Sequence, residues 1–260
     1  MITTKLLGGL GNQMFQISTV YAYAKAHGFD YGFDFDSCYT PNQGHTSTKY
    51  KDTLFKHFNR LDNTKFNMTY KEPFFSYNEI AKNDNIILDG YFQSEKYFKE
   101  YKSELNEMFI FPEDTVGRVS SFLDKNNFTN LTSVHVRRGD YIKPPEKQEF
   151  HFNLGKTDYY EDAMEILGGG DFIFASDDID WCKKMYFGDD VHFSPFTNEL
   201  DDLYLMTICD NNIIANSSLS WWGAWLNNSR NHKVIAPNNW FGPKGPQDTQ
   251  DLIPENWIKI

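Results

Sequence analysis

Short apolar strands alternate with helices across residues 131–236, and several of those strands end in polar side chains. Residues 131–136, 171–175, 191–193, 212–215 and 233–236 read as buried strands, being short, β-branched and apolar. Residues 158–167, a stretch through Trp181 and Met185, and residues 198–209 read as the intervening helices, with a further helix led by Asn216, Ser217 and Ser218. This alternation predicts a parallel, doubly wound sheet, because parallel neighbours need a crossover that a helix supplies. In such sheets ligands bind beyond the carboxyl ends of the strands. Three polar endings fall there: His135, Arg137 and Arg138; Ser176, Asp177 and Asp178; Asn216, Ser217 and Ser218. Carried on one sheet edge, they converge on one crevice.

The ending Val-His-Val-Arg-Arg-Gly-Asp-Tyr is the most unusual, since nothing in strand packing asks for two arginines and an aspartate. Side chains alternate faces along a strand, so His135 shares a face with Arg137 while Arg138 shares the other with Val134 and Val136. The two arginines therefore have different jobs. An arginine at a strand end suits bidentate capture of phosphate oxygens, and the alternative is an ion pair with Asp140. Asp177-Asp178 raises a metal reading, but the carboxylates are adjacent and the arginines already supply phosphate neutralisation, so no metal is expected, with Asp178 capping a helix as the structural alternative. Asn216, Ser217 and Ser218 either cap the helix they lead or bind phosphate. Asp202 opens a helix, where a carboxylate matches the paired N–H donors of a guanine edge; the alternative is a surface acid. Trp221, Trp222 and Trp225 sit at helical spacing and read as core packing.

The first half starts with a strand at residues 3–7, the turn Gly8-Gly9-Leu10-Gly11-Asn12-Gln13 and a helix over 14–27. Gly9 and Gly11 let backbone N–H groups approach a ligand, and Asn12 either presents an amide to it or caps the helix. A dinucleotide fingerprint fits poorly, because Met14 stands where its third glycine belongs. Further strands are expected at 31–36 and 85–91, and a helix at 94–108 capped by Ser94. The domains read as 1–112, an amino-terminal α/β domain on the acceptor side, 113–245, a Rossmann-like nucleotide domain, and 246–260, a wrapping tail. With 260 residues and a net charge of −11, the chain is ill suited to nucleic acid, and no apolar run approaches the roughly 18 residues of a membrane span. Cys38, Cys182 and Cys209 follow no disulfide or metal pattern, which fits a reducing, cytoplasmic setting.

Three motifs, Gly8-Gly9-Leu10-Gly11-Asn12-Gln13-Met14-Phe15-Gln16, His135-Val136-Arg137-Arg138-Gly139-Asp140-Tyr141 and Asn216-Ser217-Ser218-Leu219-Ser220-Trp221-Trp222-Gly223, resemble the alpha-1,2-fucosyltransferase family, glycosyltransferase family eleven. The resemblance spans almost the whole chain. It implies two Rossmann-like halves facing a cleft, a GT-B-like architecture, and metal-independent, inverting transfer of L-fucose from GDP-β-L-fucose to O2 of a galactose-terminated glycan. No cofactor is implied, the GDP-fucose being a substrate. By motif position it puts Arg137 on the diphosphate, His135 and Arg138 close by, Asp177, Asp178, Asp202, Ser217 and Ser218 around the GDP, and Asn12 toward the reacting centre. Asp140 is the candidate for a general base, though a dissociative path needs none. Acceptor choice would lie in loops such as 143–156. Transfer from the same donor to another acceptor, a lectin built on the tryptophans, and a dinucleotide oxidoreductase are the competing readings.

Overall fold

The computed structural model describes residues 1–36, 47–62, 64–142 and 149–260. Cys38 and the start of the expected acceptor loop, 143–148, lie outside the described residues. The chain divides into two compact units, Met1–Pro112 with Asp248–Pro254, and Glu113–Gln247 with Glu255–Ile260. The stretch 246–260 is thus shared between them.

The first unit has a parallel three-stranded sheet in which β3 (Ile86–Asp89) lies between β1 (Ile2–Thr4) and β2 (Met68–Lys71). Helix α1 (Leu10–His27) is buried over most of its circumference, Met14, Phe15, Ile17, Val20 and Ala24 included, and so forms the unit's central rod. It starts at Leu10, four residues before the position expected from the glycines. Gly8 turns the chain at φ 74°, and the Gln13 side chain donates to the Gly8 carbonyl at 2.9 Å, which closes the first turn over the glycines. The strand expected at 31–36 reduces to isolated bridges, Tyr31 to Ile2 and Phe33 to Arg60. β2 was illegible because its side chains are mostly exposed and carry no apolar alternation. Ser94 does cap, accepting from Lys96 N–H, but only a 3-10 turn follows; regular helix waits for α2 (Lys102–Met108). The break falls at Phe98, whose backbone leaves the helical region while its ring is buried.

The second unit is a six-stranded parallel sheet ordered β6-β5-β4-β7-β8-β9. These strands are β4 (Thr132–Val136), β5 (Phe172–Ser176), β6 (Val191–Phe193), β7 (Asn211–Ile213), β8 (Lys233–Ala236) and β9 (Ile258–Lys259). The helices are α3 (Glu113–Asn126), α4 (Gly139–Ile142), α5 (Tyr159–Leu167), α6 (Ile179–Met185), α7 (Glu199–Ile208) and α8 (Ser218–Leu226). From β4 the chain steps outward to β6, then returns to lay β7 against the other side of β4. That reversal puts the topological switch point between β4 and β7.

Strand alternation gives each face its own core. Val134, Val136, Phe172 and Phe174 pack with Tyr159, Tyr160 and Cys182, whereas Ile173 packs oppositely with Val119, Leu205 and Cys209. Each such side chain, fully buried, stabilises by about 1.5–3 kcal/mol relative to exposure. Trp221, Trp222 and Trp225 are buried, with Trp221 lying against Trp225 and Trp257 at ring distances of 6.0 and 5.5 Å. They are core, so a lectin reading loses its sugar platform.

Candidate active site

β4 is buried along its whole length, Thr132 and Ser133 included, and three charged residues, Arg137, Arg138 and Asp140, follow its carboxyl end. His135 is 5% exposed, and its Nδ1 has no hydrogen-bond partner among the described residues. Burial, then the Arg137 charge beside it, push its pKa down to about 3, so the ring is neutral and presents a single N–H. Arg137 lies between two carboxylates, its Nη2 2.6 Å from Asp140 Oδ1 and its Nη1 3.1 Å from Asp177 Oδ2. Burial opposes its charge, but Asp177 and Asp140 outweigh that and hold the guanidinium above its ordinary pKa. About a third of the side chain, 34%, faces solvent.

Arg138 turns elsewhere. Its guanidinium stacks on Trp181 with Cζ 3.8 Å from the ring centroid, and its Nε donates to Asp178 Oδ2 at 3.0 Å. Gly155 covers this stack closely enough that a Cβ there would meet Arg138 Nη1 at 3.0 Å and the indole at 3.1 Å. The two arginines, both beyond the end of β4, therefore stand in different surroundings: Arg138 is packed against Trp181 and Asp178, and Arg137 lies between two acids with a third of its side chain exposed.

The end of β5 meets this turn. Asp177 Oδ1 accepts the Arg138 backbone N–H at 2.9 Å while Oδ2 faces Arg137. Asp178 occupies the N-cap position of α6, yet its side chain makes no cap bond, because the carboxylate is directed at Arg138. The capping alternative for Asp178 is thereby corrected. Ser176 Oγ instead accepts the Asp178 N–H at 2.9 Å.

Across the switch point, Asn216 is buried and both its amide hydrogens go to backbone carbonyls, Phe152 and Trp240, at 2.8 Å each. It ties the loops that wall the site. Ser217 is the N-cap residue of α8, and its hydroxyl makes no cap bond; Ser218 is the first helical residue, and the first turn contains no acid. That end thus offers N–H groups and two hydroxyls with a favourable helix dipole. Tyr141 links the strand ends, its hydroxyl donating to the Asn216 carbonyl at 3.1 Å and its ring stacked on His151 at 3.8 Å.

Asp202 lies beyond β6, where its Oδ1 accepts from Ser194 Oγ at 2.6 Å. Burial, reinforced by Asp201 and Glu199, raises its pKa to about 7 against the Ser194 hydrogen bond. β6 stands two strand spacings from β4, roughly 10 Å, which is the scale of a nucleoside between its base and its phosphates. Neighbouring Asp201 is instead a structural anchor, taking Arg118 Nε and Nη2 at 2.9 and 2.8 Å.

Gly9, Gly11 and Asn12 belong to the first unit. Gly9 is the N-cap residue of α1, Gly11 is buried in its first turn, and Asn12 Oδ1 accepts from Gln93 Nε2 at 2.7 Å. A Cβ at Gly8 would collide with Asn12 Nδ2 at 2.4 Å, so the positive-φ glycine also seats that amide. Sequence reasoning missed Trp181, Gly155, Ser194 and the stacking of Tyr141 on His151. Gly139 and Tyr141 stood in the motif that follows β4, but spacing did not show what they contact.

What the second unit assembles at the carboxyl edge of its sheet, around the switch point, is an arginine, a neutral histidine, a helix N-terminus whose N-cap hydroxyl makes no cap bond and a half-buried carboxylate two strands away. That set can bind a nucleoside diphosphate and stabilise charge developing on it. The model of the glycosyl transferase family 11 matches residues 1–260. The chain belongs to that family. Among its relatives, an alpha-1,2-colitosyltransferase of Escherichia coli is 33% identical over 100% of this chain and 99% of that protein. An O-antigen biosynthesis glycosyltransferase of Escherichia coli, WbnK, is 29% identical over 98% and 99%. A galactoside 2-alpha-L-fucosyltransferase of Caenorhabditis elegans is 26% identical over 67% of this chain and 53% of that one. Among solved structures, the fucosyltransferase NodZ from Bradyrhizobium shares the fold with a TM-score of 0.53, at 13% identity over 86% of this chain and 91% of that one. This family 11 protein is a glycosyltransferase of the α/β, GT-B-like class, fucosyltransferase-like in fold. Among its described residues no helix is long and apolar enough to cross a membrane.

Proposed function

We propose that this enzyme transfers L-fucose from GDP-β-L-fucose to O2 of a terminal galactose, with inversion at the sugar carbon and without a metal. The observation that carries the reading is the position of Arg137, directly after β4, beside the switch point and two residues before α4. As the bond between fucosyl C1 and oxygen stretches, negative charge grows on the β-phosphate, and an arginine fixed there stabilises the transition state more than the ground state. His135 is neutral at working pH and supplies an N–H donor rather than a second charge. The α8 terminus, through Ser217 and Ser218, supports the diphosphate, and Asp202 takes the two N–H donors of the guanine edge. Asp177 and Asp178 are both engaged by arginines, which leaves them poorly placed to hold a divalent cation and supports metal-independent transfer.

A second donor is favoured by one finding, the 33% identity to an alpha-1,2-colitosyltransferase. Colitose is L-fucose without its 3-hydroxyl. Supplying GDP-fucose or GDP-colitose with lactose, with and without EDTA, and comparing kcat/KM decides between them. The fucose reading expects an EDTA-resistant 2-fucosylated product and a preference for GDP-fucose. A preference for the 3-deoxy donor would move the assignment to colitosyl transfer, and product formation from neither donor would sink both.

A further inference from the structure

We propose that Asp177 is a positioning residue for Arg137 and takes no direct part in holding the nucleotide, a role that rests on the diphosphate reading of Arg137 given above. Both of its oxygens are committed to the turn that follows β4. Oδ1 accepts the Arg138 backbone N–H at 2.9 Å, and Oδ2 lies 3.1 Å from Arg137 Nη1. One carboxylate thus fixes the backbone of the turn and the direction of the guanidinium that leaves it. The fit is close. A Cβ at Gly139 would stand 2.4 Å from Asp177 Oδ2, so glycine is what admits the carboxylate to this place.

Asp140 also pairs with Arg137, but the two acids differ in how they are held. Asp177 is 26% exposed and anchored at a backbone amide, whereas Asp140 is 56% exposed and sits on the four-residue helix α4. An arriving diphosphate competes for Arg137 with whichever anion is more loosely held. It therefore displaces Asp140 from Nη2 and leaves Asp177 on Nη1, so that the arginine meets its ligand already oriented. A carboxylate left in place has the wrong sign to touch a phosphate, which assigns Asp177 to support rather than contact.

Three variants separate the parts of this role. Asp177→Asn keeps an oxygen for the Arg138 N–H but offers Arg137 either nothing or a repelling amide; Asp177→Ala removes both partners; Arg137→Ala reports the diphosphate contact itself. Binding of GDP and GMP is measured calorimetrically for each, and hydrogen exchange at the Arg138 amide is measured without nucleotide. Positioning predicts that Asp177→Asn loses about tenfold in affinity for GDP, the scale of one charge-assisted hydrogen bond, while GMP changes by less than about threefold. Exchange at Arg138 should remain slow in Asp177→Asn and rise by about tenfold or more in Asp177→Ala, because the amide loses its hydrogen-bond acceptor. Equal losses for GDP and GMP would make Asp177 a ribose or base ligand and overturn the proposal. Tighter GDP binding in Asp177→Asn would make it a competitor for Arg137 and overturn it as well, as would unchanged exchange in Asp177→Ala. If Arg137→Ala kept the preference for GDP over GMP, the diphosphate reading would fail separately, and the exchange result would still decide whether Asp177 holds the turn.

Discussion

At the scale of the residue, the site works by giving charged groups unequal surroundings. Arg137 is kept charged between two acids, whereas His135, two residues before it, is kept neutral by burial. Asp202 is the group whose surroundings reach into the working pH range. Its folded pKa of about 7 is raised above the unfolded value, so the folded state binds a proton that the unfolded state has lost. The stability held in that proton is fully present below the unfolded pKa and is lost as pH rises toward and through about 7. If Asp202 holds guanine as proposed, ligand binding runs the other way, because only the ionised carboxylate accepts two N–H donors. GDP should therefore bind more tightly as pH goes from 6 to 8, by several-fold, and Asp202→Asn should weaken binding by about tenfold and flatten that dependence. Calorimetric Kd values across this range check it; a pH-independent Kd in the unaltered enzyme would remove Asp202 from the guanine site. The residue types at Arg137, Asp177 and Ser217 were legible from sequence because charge and hydroxyl at strand ends are out of place in a sheet. Their partners were not. That Asp178 spends its carboxylate on Arg138 instead of capping α6, or that Trp181 supports Arg138, depends on side-chain direction across two strands, which spacing in the chain does not encode.

At the scale of the element, the clearest contrast is between two helical glycines. Gly223 in α8 faces α7, where a Cβ would come within 2.5 Å of Met206 Cβ, an atom fixed by its own backbone. Gly117 in α3 has nothing within 4 Å. Alanine at 117 keeps only the gain of a better helix former, about 1 kcal/mol, whereas alanine at 223 sets that gain against overpacking of about 1–3 kcal/mol. Gly117→Ala should therefore raise the thermal midpoint by about 2–4 °C, and Gly223→Ala should lower it by a similar or larger amount. Scanning calorimetry of the two variants reads the sign directly, and a stabilised Gly223→Ala would show that α7 and α8 are not in close contact. Elements were readable where burial imposed a pattern: β5, β6 and β8 fell within a residue of the expected apolar runs, since a parallel sheet covered on both faces needs apolar strands, whereas β7 is Asn211–Ile213 and takes in two buried asparagines ahead of the expected run. Elements held by other means were not readable. β2 is mostly exposed, β9 is a two-residue edge, and the start of α1 depends on the Gln13 side chain reaching back to Gly8.

At the scale of the whole molecule, the site must act against the protein's own charge. A chain of net charge −11 repels an anionic donor at long range, so attraction has to come from a short-range, partly desolvated cluster at the switch point. Such a ligand stabilises the folded state by mass action. GDP at about a hundred times its Kd should add about 2.7 kcal/mol, raising the thermal midpoint by roughly 5–10 °C, and Arg137→Ala should remove most of that shift. The doubly wound sheet and the polar side chains along its carboxyl edge were legible in the sequence, because strand-helix alternation reports topology directly. The division of 246–260 between the two units was not, since a short terminal segment carries too few residues for a periodic signal. In the proposed reaction Arg137 does the diphosphate's electrostatic work in the transition state. The most direct measurement is kcat/KM for fucose transfer from GDP-fucose to lactose in the unaltered enzyme and in Arg137→Ala, both shown folded by calorimetry. The account predicts a loss of about a hundredfold or more, largely in kcat; a variant within about threefold of the unaltered enzyme would contradict it.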